Sequence, residues 1–350
     1  MTSAGKKVRV VVADDSLVAR EMLFQILSSD PRIEVVGQAH DGEEAVDLVR
    51  QLRPDLVTMD IHMPKMDGLE ATERIMAFTP TPILVVSSSV HGEGTGRAFD
   101  ALNLGALEVI KKPEPKDWAD LERIGLEVLS KVKILANVKV ITHVRGRRDH
   151  HGYRARPIGG HPAGQSTVAI GSSTGGPSAL LTVLGRLPAD FPSPVLVAQH
   201  IADGFIPGLV TWLNTASKIR VVQAEEGMVP EPGFAYFAAT GSNMVLSGDK
   251  LLFEEPRAHQ LYIPSADTLF ESVAHSCGKN AVGVLLTGMG ADGAKGLKRM
   301  MDAGAETIAQ DEETSTVFGM PRAAIELGAA AQVLAITDIA AALVEIVGQP

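Results

Sequence analysis

Cysteine is almost absent from this 350-residue chain, which contains Cys277 alone. One cysteine excludes an intramolecular disulfide framework and is typical of a protein in a reducing compartment. Long apolar runs are lacking too, since no stretch approaches the ~20 residues that a membrane-spanning helix needs. The first apolar run, Val8–Ala13, is short and is followed by two aspartates, so we expect no signal peptide. Together these absences predict a cytoplasmic protein.

An excess of positive charge is also lacking. The chain has 32 lysines and arginines against 42 aspartates and glutamates, which gives a formal net charge of −10. This balance gives no support to general nucleic-acid binding, so we expect no nucleic-acid partner. Hydrophobic residues make up 45% of the chain, enough for a buried core, and the length predicts two domains.

Positive charge is concentrated in one segment, residues 131–165. This segment has eight lysines and arginines and one acid, so it carries +7 while the rest of the chain carries −17. From Arg145 onward it contains glycine, histidine and proline without any apolar periodicity. We therefore predict a basic flexible linker over residues 126–165, between a first domain at 1–125 and a second at 166–350.

Short apolar runs alternate with helix-like segments in both predicted domains, as in α/β proteins. The strand-like runs of the first domain are Val8–Ala13, Ile33–Ala39, Asp55–Met59, Ile83–Val86 and Val109–Ile110. The second domain has seven such runs, beginning at Thr167, and Met244–Glu254 has the pattern of a β-hairpin. The alternation predicts a doubly wound parallel sheet in each domain, Rossmann-like in the second.

Three carboxylates follow neighbouring strands of the first predicted sheet. Asp14 and Asp15 come after the first strand and Asp60 after the third, so they meet at the carboxyl edge. Clustered carboxylates repel one another unless a cation joins them, and oxygen ligands favour Mg²⁺. Ser87 offers a hydroxyl and Lys112 a cation near the same edge. This set suits phosphoryl transfer to Asp60, although each aspartate alone is also explained as a helix cap or loop residue.

The first domain resembles a response-regulator receiver domain over residues 7–113, on the segments VVVADDS, LVTMDIHMPKMDG, ILVVSSS and GALEVIKKP. The resemblance implies a flavodoxin-like (βα)5 fold and phosphorylation of Asp60 by a histidine kinase. The Mg²⁺ ligands that it implies are Asp15, Asp60 and the carbonyl of His62, with Asp14 nearby. Ser87 and Lys112 are then the hydroxyl and the cation of the phosphorylation switch.

A candidate nucleophile lies after the first strand of the second domain. The segment Gly171–Gly176 is G-x-S-x-G between a strand and a helix, which would present Ser173 at the sheet edge. Backbone N–H groups at the helix start, such as that of Thr174, are suited to an oxyanion. A phosphate-binding turn explains the same glycines. His200 and Asp292 also follow strands, and either a base and an orienting acid or plain structural residues would fit there.

A dinucleotide-binding domain is a competing interpretation of the second half. The segment GMGADG at 288–293 fits G-x-G-x-x-G after a strand, and Asp311 ends the next strand, where a ribose-binding acid would lie. That interpretation predicts an oxidoreductase, but it leaves Ser173 and His200 without a role.

The second half resembles the catalytic domain of the chemotaxis protein-glutamate methylesterases, the CheB family. The matching segments, over about 167–330, are VAIGSSTGGPSAL, VLVAQHIADGF, PSADTLFESVA, VLLTGMGADGAKGL and AQDEETSTVFGMPRAAIELG. The resemblance implies Ser173 as nucleophile, His200 as base, Asp292 as orienting acid and the Met289 N–H as oxyanion donor. It also implies hydrolysis of glutamate methyl esters, and deamidation of glutamines, on the cytoplasmic helices of methyl-accepting chemoreceptors. No metal or cofactor is expected for that reaction.

Three places depart from the pattern of the resembled family, and one of them is Ile201–Asp203, where the family usually has a proline-containing turn after the histidine. Asn243 replaces a histidine at the start of the hairpin, and Ile263 replaces an arginine before Pro264-Ser265. These departures leave open a phospho-switched, receptor-binding protein with an inactive esterase fold. As in the family, we expect the unphosphorylated receiver to block the Ser173 groove, and we expect membrane association only through the receptors.

Overall fold

The structure is a computed structural model that describes residues 6–88, 95–140, 166–256 and 260–348. It divides into two compact units, with the division between residues 140 and 166. Most of the predicted linker, residues 141–165, lies outside the described ranges, so its predicted flexibility stays a prediction. Within those ranges, no helix combines the length and the hydropathy that crossing a bilayer requires.

The first unit alternates strands and helices around one parallel sheet. Its elements are β1 (Val8–Ala13), α1 (Leu17–Ser28), β2 (Ile33–Ala39), α2 (Gly42–Leu52), β3 (Leu56–Met59), α3 (Gly68–Phe78), β4 (Ile83–Ser87), α4 (Thr95–Asn103), β5 (Glu108–Lys111) and α5 (Trp118–Leu135). The strand order is β2-β1-β3-β4-β5, with every pairing parallel. The predicted flavodoxin-like arrangement is confirmed, and β1 and β3 are neighbours.

Short polar side chains begin the helices of this unit. Ser16, Asp41, Asp67 and Asp117 each accept a hydrogen bond from the backbone N–H three residues later. Such a side-chain oxygen satisfies one of the N–H groups that have no partner inside the helix. The caps fix where each helix starts and therefore where the loops at the carboxyl edge of the sheet lie.

Helix α5 crosses the domain boundary that we predicted at residue 125. Its second half buries Val128, Leu129, Val132 and Leu135 in the same apolar cluster as the strand residues Val10 and Leu84 and the α1 residues Leu23 and Leu27. Residues 126–140 therefore belong to the first unit and not to a linker. The basic composition of this stretch misplaced the boundary, because Lys131 and Lys133 lie on the partly exposed side of a core helix.

The second unit contains a seven-stranded parallel sheet and a separate hairpin. Its elements are β6 (Thr167–Ser172), α6 (Gly176–Leu184), β7 (Val195–Gln199), α7 (Ile206–Asn214), β8 (Arg220–Gln223), β9 (Phe234–Phe237), β10 (Asn243–Ser247), β11 (Lys250–Glu254), α8 (Ala266–Cys277), β12 (Ala281–Leu285), α9 (Ala294–Asp302), β13 (Glu306–Gln310), α10 (Met320–Glu326), β14 (Gln332–Leu334) and α11 (Ile336–Gly348). The sheet order is β14-β13-β12-β6-β7-β9-β8, and β10 pairs antiparallel with β11. This confirms the predicted doubly wound sheet with a hairpin.

The three strands that precede the candidate residues are adjacent in this sheet. Strand β6 lies between β12 and β7, and the register pairs Gly171 with Leu285 and Ser172 with Gln199. The loops after these strands therefore emerge side by side at one edge. The direction of winding reverses next to β6, and the crevice at such a reversal is where doubly wound sheets bind ligands.

Candidate functional sites

The carboxyl edge of the first sheet gathers the predicted acidic cluster. Carboxylate oxygens of Asp14, Asp15 and Asp60 lie within 4.8 Å of one another. Lys112 Nζ lies 2.8 Å from Asp14 Oδ2 and 2.9 Å from Asp60 Oδ2. Asp14 and Asp60 are buried and Asp15 is exposed, so the cluster is open to solvent on one side.

Burial and neighbouring charges shift the pKa values of this cluster in opposing ways. Burial raises the pKa of Asp60 above its usual value despite Lys112, and the negative charge of Asp14 adds to the rise. For Lys112, burial acts to lower the pKa, but bonds to Asp14 and Asp60 outweigh it and raise the pKa. A carboxylate shifted by burial beside a cation is characteristic of reactive sites.

The remaining predicted receiver residues, His62 and Ser87, are close to this cluster. His62 follows Asp60 by two positions, and Ser87 ends β4, the strand next to β3. Ser87 is buried at the end of β4, and its carbonyl accepts the N–H of Lys112 at 2.9 Å. The imidazole of His62 is exposed, while its predicted role concerns the backbone carbonyl. Three carboxylates that converge with one side open fit an oxygen-bound Mg²⁺ that retains water. The ligand set, including the His62 carbonyl, stays a prediction.

Ser173 lies at the carboxyl edge of the second sheet, one residue beyond β6. Its backbone N–H donates to the carbonyl of Thr287 at 3.0 Å, and the side chain is buried. Gly288 packs directly against it, since a Cβ atom there would approach the Ser173 Cβ to 2.8 Å. Position 288, in the loop after β12, must therefore be glycine, because a side chain there would collide with the candidate nucleophile. The neighbouring Gly175 has a φ of +74°, which allows the tight turn into α6.

His200 and Asp292 are in direct polar contact. His200 Nε2 lies 2.8 Å from Asp292 Oδ2, and the two side chains are 10% and 8% exposed. The other ring nitrogen, Nδ1, is buried and has no hydrogen-bond partner among the described residues. An ionised carboxylate only accepts hydrogen bonds, so the ring nitrogen that donates to Asp292 is Nε2, and in the neutral imidazole the lone pair is then on Nδ1.

Asp292 is held by the start of helix α8 as well as by His200. The Ser265 hydroxyl donates to its Oδ1 at 2.8 Å, the Ala266 N–H to its Oδ2 at 2.7 Å, and the Asp267 N–H to its Oδ1 at 3.2 Å. Burial acts to raise the pKa of Asp292, but the bonds from His200, Ala266 and Ser265 outweigh it and lower the pKa. The carboxylate is therefore kept in its charged form next to the histidine.

Several residues around this pair were not predicted from the sequence. Tyr262 stacks on the His200 ring, with centroids 4.7 Å apart and an angle of 6° between the planes. Gln199 accepts from the Ser172 hydroxyl at 2.6 Å and donates to the carbonyls of Ser173 and His200 at 2.9 and 2.7 Å. The position of Gln199 at the end of β7 was an available signal, but nothing in the local pattern marks Tyr262.

The predicted oxyanion donors lie on two loops beside Ser173. Thr174 is buried, and its carbonyl accepts from the Thr287 hydroxyl at 2.9 Å. Met289 follows Gly288, whose N–H donates to the Val317 carbonyl and whose carbonyl accepts from Met320. These bonds fix both loops at the same edge, but the assignment of the Met289 and Thr174 N–H groups to an oxyanion stays a prediction.

Comparison with known proteins identifies both halves of the chain. The family model for CheB methylesterase matches residues 168–343, and the model for the response regulator receiver domain matches residues 10–120. The chain belongs to the CheB methylesterase family. The protein-glutamate methylesterase/protein-glutamine glutaminase 2 of Anaeromyxobacter dehalogenans is 46% identical over 99% of both chains. The protein-glutamate methylesterase/protein-glutamine glutaminase of Nitrosospira multiformis is 43% identical over 98% of both.

Solved structures of CheB fragments are also similar to the chain. The CheB methylesterase catalytic domain of Thermotoga maritima is 35% identical, covers 54% of this chain and 99% of its own, and has a TM-score of 0.49. The response regulator domain of Thermotoga maritima CheB is 40% identical, covers 38% and 99%, and has a TM-score of 0.35.

Membership of the CheB family confirms the predicted family and removes the basis of the dinucleotide-binding interpretation. In the structure, Asp311 accepts hydrogen bonds from the N–H and hydroxyl of Thr314, so it caps the turn after β13. The glycines of GMGADG serve the approach to Ser173 and the turn into α9, where Gly293 has a φ of +87°.

Proposed function

We propose that this chain is a phosphorylation-regulated esterase that hydrolyses glutamate methyl esters on the cytoplasmic domains of chemoreceptors and deamidates glutamines there. The observation that carries the proposal is the His200–Asp292 pair, which is largely shielded from solvent and lies at the same sheet edge as Ser173. The family and the names of the full-length relatives support the reaction and its substrate. Because the proposed substrates are cytoplasmic domains of the receptors, this activity would require the protein to be in the cytoplasm.

The proposed chemistry begins with proton transfer from Ser173 to His200. As the Ser173 oxygen attacks the ester carbonyl, its proton passes to His200 Nδ1, the nitrogen that Asp292 leaves unprotonated. Asp292 stabilises the resulting imidazolium through the proton on Nε2. Ser173 and His200 share no hydrogen bond in this structure. Hydrogen bonds between a nucleophile and its base often form only when the substrate is bound.

The intermediate then collapses with loss of methanol. The imidazolium gives its Nδ1 proton to the methoxide oxygen, the C–O bond breaks, and an acyl-enzyme on Ser173 remains. Water attacks the acyl-enzyme, His200 takes one of its protons, and that proton returns to Ser173 as the glutamate carboxyl leaves. With a glutamine substrate, ammonia leaves instead of methanol. Backbone N–H groups of Met289 and Thr174 are proposed to bind the oxyanion.

The first unit supplies the proposed regulation. Asp60 accepts a phosphoryl group from a histidine kinase, and Lys112 lies where it can pair with a phosphoryl oxygen. Mg²⁺ held by Asp15, Asp60 and the His62 carbonyl, with Asp14 nearby, would neutralise charge on the phosphoryl group. The phosphorylated state is proposed to raise the activity at Ser173, and the shift is limited by the difference in interaction energy between the two states.

Methanol release from methylated receptor tests the esterase assignment. The wild-type chain should release methanol and react covalently with a fluorophosphonate probe, whereas Ser173→Ala should do neither. Ser178→Ala, on the adjoining helix, is the matched control and should behave as wild type. Full activity of Ser173→Ala would refute the nucleophile. A wild-type chain that binds receptor but resists the probe would instead support the inactive binding protein.

A further inference from the structure

Asn243 joins the hairpin to the segment that holds the candidate catalytic pair. It begins β10, is 1% exposed, and replaces the histidine that we expected from the family pattern. Its Nδ2 donates to Gln260 Oε1 at 3.0 Å, and Gln260 Nε2 donates back to its Oδ1 at 2.9 Å. The N–H of Ser265 donates to the same Oδ1 at 2.9 Å.

These bonds fix both ends of residues 260–265. Gln260 also donates to the Tyr262 carbonyl at 3.0 Å, so its side chain bridges Asn243 and the backbone beside the stacked ring. Within this segment, the Tyr262 ring stacks on His200 and the Ser265 hydroxyl donates to Asp292. The amide pair of the buried Asn243 and the partly buried Gln260 therefore connects to both members of the catalytic pair.

The His200 ring needs this support, because its Nδ1 has no partner among the described residues. The contact from Nε2 to Asp292 fixes one point of the ring but leaves rotation about that hydrogen bond open. The nearly parallel Tyr262 ring restricts this rotation and so fixes the direction of the Nδ1 lone pair. A general base acts only if that lone pair points at the proton that it removes.

We propose that Asn243 and Gln260 are positioning residues for the esterase reaction, acting through Tyr262 on His200 and through Ser265 on Asp292. This inference rests on the proposed function. It accounts for the departure at 243 as part of a working site, since asparagine supplies both a donor and two acceptor positions to its partners. Neither residue is placed in contact with the reacting atoms.

Steady-state methanol release by full-length variants tests the proposal. Asn243→Ala should lower kcat about 10- to 100-fold with little change in KM, because the substrate still binds while His200 is misaligned. Tyr262→Ala should give a similar loss, and Tyr262→Phe, which keeps the stacked ring, should restore most of the rate. Rates are measured below the melting transition of every variant.

Asn214→Ala is the matched control. The side chain of Asn214, like that of Asn243, bonds to the backbone of another segment: its Nδ2 donates to the Val221 carbonyl at 2.7 Å, and its Oδ1 accepts from the Val221 N–H at 2.9 Å. These bonds join α7 to the edge strand β8 and not to the candidate site. Loss of the Asn214 side chain should lower stability without changing kcat. If Asn243→Ala keeps the wild-type kcat, or if Asn214→Ala lowers kcat as much, the positioning role is wrong.

A spectroscopic measurement separates this proposal from the esterase assignment. Proton NMR should show a downfield resonance for the His200 Nε2–H bound to Asp292 in the free wild-type chain, and His200→Gln identifies it. Asn243→Ala should shift or broaden this resonance, whereas Asn214→Ala should not. A resonance unaffected by Asn243→Ala would overturn the positioning role even if the wild-type chain proved inactive toward methylated receptor. Wild-type inactivity with an affected resonance would refute the proposed function alone.

Discussion

Asp292 serves two structural purposes with one carboxylate. It accepts hydrogen bonds from the first residues of α8, as a helix cap does, and it binds His200 Nε2. Helix N-termini favour negative charge, so α8 stabilises the same ionised form that the histidine requires. The acid is therefore oriented before any substrate arrives, and the position of α8 becomes part of the site.

Replacing Asp292 with asparagine tests this double role. Both carboxylate oxygens accept backbone N–H bonds, from Ala266 and Asp267, so the amide NH₂ would face a donor in either orientation. An NH₂ next to His200 would also favour the wrong tautomer, with the proton on Nδ1. We expect Asp292→Asn to lower kcat about 10³- to 10⁴-fold and to lower the melting temperature. Methanol release and thermal unfolding measure the two effects, and an active, equally stable variant would contradict both.

The candidate residues at strand ends could be predicted from the sequence, whereas their supporting residues could not. Asp60, Ser173 and His200 each follow a buried apolar run, and parallel topology brings such positions together. Tyr262 lies in an irregular segment far along the chain from His200. The stacking depends on which side chains the fold brings next to His200, and neither hydrophobic periodicity nor motif spacing in the sequence predicts that contact.

At the scale of elements, helix α5 shows how composition misled the prediction. Two lysines of the predicted basic linker are paired with acids of the first unit. Lys133 Nζ lies 2.9 Å from Asp30 Oδ2, and Lys131 Nζ lies 3.5 Å from the buried Glu108 Oε1. Part of the positive charge counted along residues 131–165 is therefore neutralised by acids that are distant in the sequence. The helical spacing of the apolar residues predicts the end of the first domain better than the charge does.

Leucine truncations in the full chain test whether the end of α5 is core. Leu135 is fully buried, whereas Leu126 is 62% exposed on the same helix. We expect Leu135→Ala to lower the free energy of unfolding of the first unit by about 2–5 kcal/mol. Leu126→Ala, with the same change in helix propensity, should stay within about 0.5 kcal/mol of wild type. Urea unfolding followed by circular dichroism measures both, and equal effects would restore the boundary at 125.

The contact between α5 and the loop after α1 should depend on pH. The side chain and N–H of Arg32, together with Lys133, hold the pKa of Asp30 well below its usual value. A lowered folded-state pKa stabilises the protein above the unfolded-state pKa of about 3.9, and that stabilisation is lost as the pH falls below it. We expect Asp30→Asn to destabilise the first unit at pH 7, with the difference from wild type shrinking below about pH 4.

The control for this pH dependence is Asp47→Asn, which removes an exposed pair with Arg50. Exposed pairs contribute little to stability, so this variant should follow wild type at every pH. Urea midpoints measured between pH 3 and pH 7 give the comparison. A difference for Asp30→Asn that grows toward low pH would mean that the sign of the Asp30 contribution is wrong.

For the whole molecule, the net charge of −10 conceals two different uses of charge. Part of the acid is gathered at the Asp14, Asp15 and Asp60 cluster, where Lys112 offsets it within the first unit. Part of the basic segment belongs to α5, and the remainder lies beyond the described residues. The two units have separate apolar clusters and separate candidate sites, so the proposed regulation requires a coupling between the two units.

That coupling predicts a specific behaviour of Asp60→Asn in the full chain. The amide has nearly the shape of the carboxylate but cannot form an acyl phosphate, so the variant should keep basal methanol release and lose stimulation. With wild type, a small acyl-phosphate donor and Mg²⁺ should raise the rate. Asp47→Asn, on the exposed face of α2, controls for loss of an acid and should be stimulated normally. Because phosphorylation can shift the rate only by the difference in interaction energy between two receiver states, a stimulated Asp60→Asn would mean that the donor acts elsewhere.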